Sequence, residues 1–163
     1  MKLLILGHGR HGKDSVAEIL RDLFSFSFIS SSLAAAEIAV YPHLKHKYGY
    51  KTITECYDDR SNHRMEWKQC ITDYNTPDKS KLCREILEKN DCYVGMRCDE
   101  EYEATKHLFD FVIWVDASKR MPLDPSLAIK QDNTMLVLDN NTTERNLIRN
   151  VRRLAEQHLG LVL

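Results

Sequence analysis

The first fifteen residues constrain the fold of this chain more than any other segment. Residues 2–6 are a short, mainly apolar run, and residues 7–15 follow with the sequence GHGRHGKDS. An amphipathic helix pattern begins directly afterwards, with apolar side chains at Val16, Ile19, Leu20 and Leu23. A strand, a glycine-rich loop with four residues between Gly7 and Gly12, and a helix form the layout of a P-loop.

A loop of this kind binds a chain of phosphate groups. Its backbone N–H groups and the positive end of the following helix attract anions, and its lysine adds a mobile positive charge. The segment therefore predicts nucleotide-dependent chemistry. The residues expected to hold the nucleotide are Gly7, Gly9, Arg10, His11, Gly12, Lys13, Asp14 and Ser15. The histidines of this segment are interpreted as loop positions and not as metal ligands.

The loop departs from the common pattern directly after Lys13. A Ser or Thr usually stands there, and its hydroxyl binds Mg²⁺. This chain instead has Asp14, with Ser15 one step later. A carboxylate is also a hard oxygen ligand for Mg²⁺, and a negative charge is favoured in the first turn of a helix. We therefore expect Asp14 or Ser15 to hold the metal ion.

Composition narrows the class of protein. The 163 residues are the size of one domain, and 43% of them are hydrophobic, which is enough for a core. The 23 Lys and Arg residues nearly balance the 24 Asp and Glu residues, so the chain as a whole lacks a basic nucleic-acid footprint. No apolar run approaches the roughly 18 residues of a membrane span, and residues 2–6 are expected to form a strand and not a signal peptide.

The cysteines indicate the redox environment. There are five of them, none in a CxxC pair, and we expect reduced, mostly buried thiols. This usage predicts a cytoplasmic protein, in the host cytoplasm if the source is viral. Small-molecule nucleotides are the expected partners and no membrane partner is expected. The oligomeric state stays open, with a homodimer as one option.

Strand and helix patterns alternate along the whole chain. Strands are predicted at residues 2–6, 26–29, 92–96, 111–115 and 135–138. Helices are predicted at 13–24, 33–41 (stopped by Pro42), 62–74, from Pro77 onward, at 100–108, and after Thr142 or Thr143, whereas 43–60 is interpreted as loop-rich. This order predicts a single α/β domain over residues 1–163, a three-layer sandwich whose mostly parallel, five-stranded sheet is covered by helices on both faces.

Ligands of parallel α/β sheets bind at the carboxyl ends of the strands. Arg97 directly follows the strand at 92–96, and Gly95 would let a ligand or a neighbouring backbone approach closely. Asp116 ends an apolar strand, where it can hold Mg²⁺ through water or cap the turn at Ser118. The connection at 117–133 is long for a loop and is expected to form a lid, although a short one as lids go. Its Arg120 could close over the phosphates.

A second polar cluster spans residues 58–64, with the sequence DDRSNHR. Two arginines four residues apart can share a helical face, and Arg is the preferred planar clamp for a phosphate monoester. The candidates for substrate contact are Asp59, Arg60, His63 and Arg64, together with Arg97. The alternative is an exposed helix start with Asp59 as its cap. The aromatic residues Trp67, Tyr93 and Trp114 are expected in the core.

These motifs resemble a known group of enzymes. The segment Gly12-Lys13-Asp14-Ser15 is similar to the GKD[ST] loop of phage deoxynucleoside monophosphate kinases, and a similar loop occurs in the phosphomevalonate kinase group. The segment 93–97, YVGMR, with Glu100 or Glu101 after it, resembles the strand–(D/G)-x-R–acidic pattern of the same kinases. Residues 111–118 and 132–141 resemble their C-terminal third. The likeness covers about three quarters of the chain, in order.

The resemblance implies a P-loop kinase that uses ATP and Mg²⁺ to convert a (deoxy)nucleoside 5′-monophosphate to the diphosphate. It assigns donor-phosphate contact to Lys13, acceptor-phosphate contact to Arg97 and a lid role to Arg120, which together form the catalytic set. Residues 33–90 would be the helical acceptor-binding region. The resemblance assigns Mg²⁺ to Asp14 or Ser15, and Asp116, at the end of an apolar strand, is the third candidate metal ligand.

Two departures from the family pattern leave the acceptor open. Gly95 stands where many members carry an aspartate, and the acceptor and lid insertions are short. One alternative is a kinase that acts on a hydroxymethyl pyrimidine in phage DNA, the only case in which nucleic acid would be a partner. Another is a catalytically silent nucleotide-binding protein. The sequence does not specify the base, the sugar or the source.

Overall fold

The computed structural model describes all residues from 1 to 163 and contains one sheet of five parallel strands. The spatial order of the strands is β2-β3-β1-β4-β5. The strands are β1 (Leu3–Leu6), β2 (Phe28–Ser30), β3 (Cys92–Val94), β4 (Phe111–Asp116) and β5 (Leu136–Asp139). All four pairings are parallel, with Ile5 beside Val94 on one side and Ile113 on the other. The predicted parallel five-stranded sheet is confirmed.

Helices fill the connections from β1 to β2, from β2 to β3 and from β3 to β4, and another helix follows β5. They are α1 (Lys13–Phe24), α2 (Ser31–Ala35), α3 (Tyr41–Tyr48), α4 (Ile53–Asp58), α5 (Arg64–Tyr74), α6 (Lys81–Lys89), α7 (Asp99–Thr105) and α8 (Glu144–Leu154). Short π-helical turns cover Ala36–Val40 and Ala155–Leu159, and short 3₁₀ turns cover Asp59–Asn62 and Lys106–Leu108. None of the helices combines the length and the apolar character that a membrane crossing requires.

The central strand β1 is buried on both faces, which is why its apolar side chains do not alternate with polar ones. Leu3 and Ile5 pack into one core cluster with side chains of α1 and α8. Leu4 and Leu6 pack into a second cluster with side chains of α6 and α7. Because successive strand residues point to opposite faces, one strand supports both layers. The predicted three-layer α/β sandwich is therefore confirmed.

A third apolar cluster lies within the helical segments between β2 and β3. It contains Ala36, Ala39, Val40, Leu44, Cys56 and Trp67, all buried. The small side chains of the π-helical turn let α5 approach closely at Trp67. This cluster gives residues 31–74 a core of their own, within the region that the resemblance assigns to acceptor binding. Trp67, Tyr93 and Trp114 are all buried, as predicted.

The prediction that Pro42 stops a helix is wrong. Helical structure continues from Ser31 through the π-helical turn at Ala36–Val40 and into α3, which ends at Gly49. Pro42 stands in the first turn of α3, where a missing N–H costs nothing. The wider turn before it, in which the Tyr41 N–H donates to the Ala36 carbonyl, makes room for the proline ring.

Other predicted boundaries are also corrected. Residues 43–60 are mostly helical and not loop-rich, because Leu44 and Cys56 anchor α3 and α4 on the third cluster. The helix expected from Pro77 begins at Lys81, since the Asp78 carboxylate accepts the Ser80 N–H and forms a turn there. The last helix is capped by Thr143, whose hydroxyl accepts the Asn146 N–H.

The stability of the sheet can be tested at its centre and its edge. Ile5→Ala removes fully buried methyl groups from β1, and we expect it to lower the free energy of unfolding by about 2–5 kcal/mol. Val137→Ala on edge strand β5, where Val137 is 49% exposed, should cost less than about 1 kcal/mol. Urea unfolding followed by circular dichroism measures both. Equal losses would contradict the assignment of β1 to the centre of the core.

The structure contains five free cysteines, which agrees with the reduced state that was predicted. Burial raises the pKa of Cys83 and of Cys92 to about 12, whereas Cys98 is exposed. Because the thiolate is the reacting form, we expect iodoacetamide at pH 8 to label Cys98 rapidly and to spare the two buried thiols until urea is added. Mass spectrometry identifies the labelled residues. Rapid native labelling of Cys92 would contradict the fold.

Candidate functional site

The predicted phosphate loop connects the carboxyl end of β1 to α1. Helix α1 begins at Lys13, and its N-cap is Gly12 with a φ of 95°, so no side chain caps the first turn. The N–H groups at the start of this twelve-residue helix therefore remain available to a ligand. Together with the positive end of the helix dipole, they form an anion site of the kind the loop sequence predicts.

Two glycines of the loop are required by close backbone contacts. A Cβ on Gly7 would lie 2.6 Å from the Val115 carbonyl oxygen, so the loop presses against the end of β4. A Cβ on Gly12 would collide with the side-chain amide of Asn140. Both glycines also have positive φ angles, which other residues rarely adopt. These contacts hold the loop between the ends of β4 and β5.

Lys13 lies over the loop that it follows. Its Nζ donates a hydrogen bond to the His8 carbonyl oxygen over 2.8 Å. Burial and the nearby Arg97 guanidinium lower the pKa of Lys13, while the Asp14 and Asp124 carboxylates oppose that shift. A phosphate at the loop would take the place of the His8 carbonyl as the acceptor. The arrangement fits the role predicted for Lys13.

The three predicted metal ligands are not equivalent. The Asp14 carboxylate, in the first turn of α1, has no hydrogen bond or ion pair within the protein, and Ser15 is exposed beside it. Asp116 has both carboxylate oxygens engaged, one by the Ser118 N–H at 3.0 Å and one by Asn141 Nδ2 at 3.2 Å. Burial opposes these bonds, yet they hold the pKa of Asp116 below its ordinary value. Asp116 therefore caps the turn at Ser118, which is the second of the two roles predicted for it.

A groove of about 630 Å³ opens beside the loop, between α1 and α8. Four predicted site residues line it: Gly12, Ser15, Arg120 and Arg10, whose φ of 63° is unusual for a residue with a side chain. Arg120 Nε donates to the Asn140 carbonyl oxygen over 2.6 Å, which fixes the guanidinium at the rim. Ile19 and Ile148 provide an apolar wall. The groove has the size of a small-molecule site, and its lining is mostly polar, with the carboxylates of Glu18, Asp22 and Glu144 among its residues.

Arg97 and Gly95 lie at the carboxyl end of β3, as predicted. A Cβ on Gly95 would be 3.3 Å from Ser31 Oγ and 3.7 Å from Lys13 Cε, so the close approach expected at this glycine involves these two side chains. Arg97 is half-exposed, and its Nη1 donates to Asp124 Oδ2 and to Ser126 Oγ over 2.6 Å and 2.9 Å. Lys13, Ser31 and Arg97 thus meet at one sheet edge.

The connection at 117–133 contains neither helix nor strand and lies against the loop. The buried ring of His11 accepts the Ala117 N–H at Nδ1, so Nε2 carries the proton and donates it to the Pro122 carbonyl oxygen over 3.1 Å. His11 was predicted to contact the nucleotide. Its side chain instead joins the loop to the connection, while its N–H donates to the His8 carbonyl oxygen over 3.3 Å and its carbonyl oxygen accepts Asn140 Nδ2 over 2.9 Å.

The cluster at residues 59–64 does not join this site. Asp59 accepts hydrogen bonds from Tyr50 and Asn62, and His63 stacks on Tyr48 with ring centroids 4.0 Å apart. No hydrogen bond or ion pair connects the cluster to the loop. The helical face expected for Arg60 and Arg64 does not form, because a 3₁₀ turn ends before Arg64 begins α5. Arg60 lies 4.0 Å from the Tyr57 ring centroid instead.

Three residues at the site were not predicted. The buried Asn140 donates to the His11 carbonyl oxygen over 2.9 Å, and Asp124 and Ser31 lie beside Arg97 and Gly95. Asn140 and Asn141 directly follow the last strand. This pattern could have indicated Asn140 as a site residue, since ligands bind at the strand ends in such sheets. Asp124 and Ser31 gave no comparable signal.

Comparison with known proteins supports the fold. No family model matches the chain, and no curated protein matches it. Among solved structures, TT1252 from Thermus thermophilus is 16% identical with a TM-score of 0.57, covering 96% of this chain and 97% of that one. A gluconokinase from Sinorhizobium meliloti 1021 is 14% identical (TM-score 0.49, covering 98% and 95%), and a sugar kinase from Janibacter sp. HTCC2649 is 14% identical (TM-score 0.48, covering 99% and 98%). At these identities the likeness concerns the fold alone.

The contacts of His11 predict its contribution to stability. His11→Leu leaves the Ala117 N–H and the Pro122 carbonyl without partners, and we expect the free energy of unfolding to fall by about 1–3 kcal/mol. Limited proteolysis should also cut residues 117–133 faster. The exposed His43→Leu is the control and should stay within about 0.5 kcal/mol of the wild type. Equal behaviour of the two variants would show that the buried ring does not anchor the connection.

Proposed function

We propose that this protein is a kinase that transfers a phosphoryl group from ATP, with Mg²⁺, to a (deoxy)nucleoside 5′-monophosphate. The observation that carries the proposal is the uncapped start of α1 behind a glycine-rich loop, with Lys13 positioned over that loop. Backbone N–H groups, a helix dipole and a lysine at one point are suited to a polyphosphate and to few other ligands. The nucleoside monophosphate is the acceptor that the sequence resemblance implies.

The groove between α1 and α8 supports a nucleotide donor. It begins at Gly12 and Ser15, so a phosphate chain on the loop would lead directly into it. Arg10 and Arg120 would flank the ribose and phosphates, while Ile19 and Ile148 offer apolar contact to a base.

The residues at the loop fit Mg²⁺. Asp14 supplies an unengaged, exposed carboxylate in the first turn of α1, and a single carboxylate with phosphate oxygens and water is a common way to hold this ion. When bound, Mg²⁺ would neutralise charge on the phosphate oxygens. Asp14 would orient it, and the hydroxyl of Ser15 would contribute a second oxygen.

The acceptor would enter at the edge where β2, β3 and β1 end. Arg97 would bind its phosphate, and Lys13 would hold the transferring group in line between donor and acceptor. Ser31 lies beside Gly95 and Lys13. At the position of Gly95, many members of the kinase group that the sequence resembles carry an aspartate. The protein would therefore work by positioning and by electrostatic stabilisation, without a covalent intermediate.

Lys13→Ala tests the proposal directly. We expect this variant to lower turnover by about 10²- to 10³-fold, because it removes the charge that stabilises the transferring phosphoryl group. The measurement is ADP release with MgATP against each (deoxy)nucleoside monophosphate. Lys89→Ala, at the exposed end of α6, is the matched control and should retain wild-type turnover.

The same panel separates the alternatives. Turnover with one or a few monophosphates would support the proposal and identify the base. Turnover only on hydroxymethylated DNA would favour a kinase that modifies DNA. ATP binding without transfer to any acceptor would favour a nucleotide-binding protein without catalytic activity, a reading consistent with the absence of a carboxylate at Gly95.

A further inference from the structure

The carboxylate of Asp124 lies directly on the phosphate loop. Its Oδ2 is 3.1 Å from the point where a Cβ on Gly9 would stand, and Arg97 Nη2 is 3.8 Å from the same point. The Asp124 N–H donates to His8 Nδ1 over 2.9 Å. The backbone and the side chain of Asp124 thus both hold this part of the connection against the loop.

The carboxylate is held by three donors. Its Oδ1 accepts the N–H and the hydroxyl of Ser126, over 2.9 Å and 2.6 Å, and its Oδ2 accepts Arg97 Nη1 over 2.6 Å. These bonds from Ser126 and Arg97 hold the pKa of Asp124 well below its usual range, so the group is ionised at neutral pH. It is a permanent negative charge beside the loop.

This charge faces the two cations that are expected to bind phosphate. Arg97 is paired with Asp124, and the electrostatic influence of Asp124 also reaches Lys13. Carboxylate and phosphate oxygens use the same guanidinium donors, so they compete for one arginine. A phosphate placed at Gly9 would also meet the carboxylate at short range, and like charges at such distances repel.

We propose that the Asp124 carboxylate occupies the phosphate position beside Gly9 and Arg97 when no ligand is bound. A phosphate-bearing ligand then binds by displacing this carboxylate. This inference rests on the proposed function in that it requires such a ligand. Asp124 is then a residue that determines affinity for MgATP, because a phosphate seated on the loop at Gly9 must displace the carboxylate and break its hydrogen bond to Arg97. Its displacement also releases the connection from His8, which couples phosphate binding to movement of residues 122–128.

Asp124→Asn tests the inference, since it removes the charge and leaves an oxygen for Ser126. We expect calorimetric titration with MgATP at low salt to show about three- to tenfold tighter binding than in the wild type. The gain should shrink as salt rises, because the lost repulsion is electrostatic. Binding to Lys13→Ala is measured in parallel.

Asp132→Asn is a matched control within the same connection. Asp132 Oδ1 accepts the N–H and the hydroxyl of Thr134 over 2.8 Å and 2.5 Å, the same local turn that Asp124 forms with Ser126. It makes no contact with Arg97 or the loop. We expect its affinity for MgATP to stay within about twofold of the wild type.

The outcomes separate this inference from the proposed function. Equal or weaker binding by Asp124→Asn, with binding lost in Lys13→Ala, overturns the inference and leaves the proposed function intact. An equal gain in MgATP affinity for Asp124→Asn and Asp132→Asn would be a general effect of removing a negative charge, and it would overturn the inference. No MgATP binding by any protein, or binding that survives in Lys13→Ala, overturns the proposed function and the inference with it.

A second measurement uses the wild type and does not depend on the folding of a variant. The Asp124 N–H donates to His8, and the Ala128 N–H donates to the Arg97 carbonyl oxygen over 3.2 Å. Displacement by a ligand should speed hydrogen exchange at both amides when MgATP is saturating. Unchanged or slower exchange at both would overturn the inference.

Discussion

The contact between the loop and the ends of β4 and β5 is the constraint on which the site depends. Gly7 lies against the Val115 carbonyl and Gly12 against the Asn140 amide, so neither position has room for a side chain. That close approach fixes the angle at which the chain leaves β1 and enters α1. It thereby points the free N–H groups of the helix toward the carboxyl edge of the sheet. The geometry of the proposed phosphate site thus depends on this one turn.

Buried polar groups hold the connection at 117–133 to this turn. Both ring nitrogens of His11 bond to the connection, at Ala117 and Pro122, and the amide of Asn140, directly after β5, donates to the His11 carbonyl oxygen. An unpaired polar group in such a place would cost about 1–3 kcal/mol, which favours one arrangement of the two segments. The outer contacts through Asp124 are partly exposed and are charged. In our proposal they are therefore the contacts that a ligand replaces.

The predictions from sequence were accurate where a local pattern carries the information. The loop at 7–15, the apolar strands and the position of Arg97 after β3 depend on residues close together in the chain, and each was located. Predictions failed where packing overrides local preference. Pro42 was expected to end a helix, yet a π-helical turn precedes it and the helix continues into α3. There Leu44 packs in the third cluster together with Trp67 of α5. The phosphate clamp at 59–64 stays a prediction, although His63, Asp59 and Arg60 contact Tyr48, Tyr50 and Tyr57 and lie apart from the loop.

The sequence by itself determined the architecture and the chemistry of one loop. Alternating strand and helix patterns imply a parallel sheet, and a glycine-rich loop before a helix implies an anion site, because both follow from periodicity and backbone geometry. Only the tertiary structure decided which side chains meet there. His11 and Pro122 are more than a hundred residues apart, and so are His8 and Asp124. Their contacts arise because strands distant in the chain end at one edge of the sheet, a proximity that no local pattern encodes.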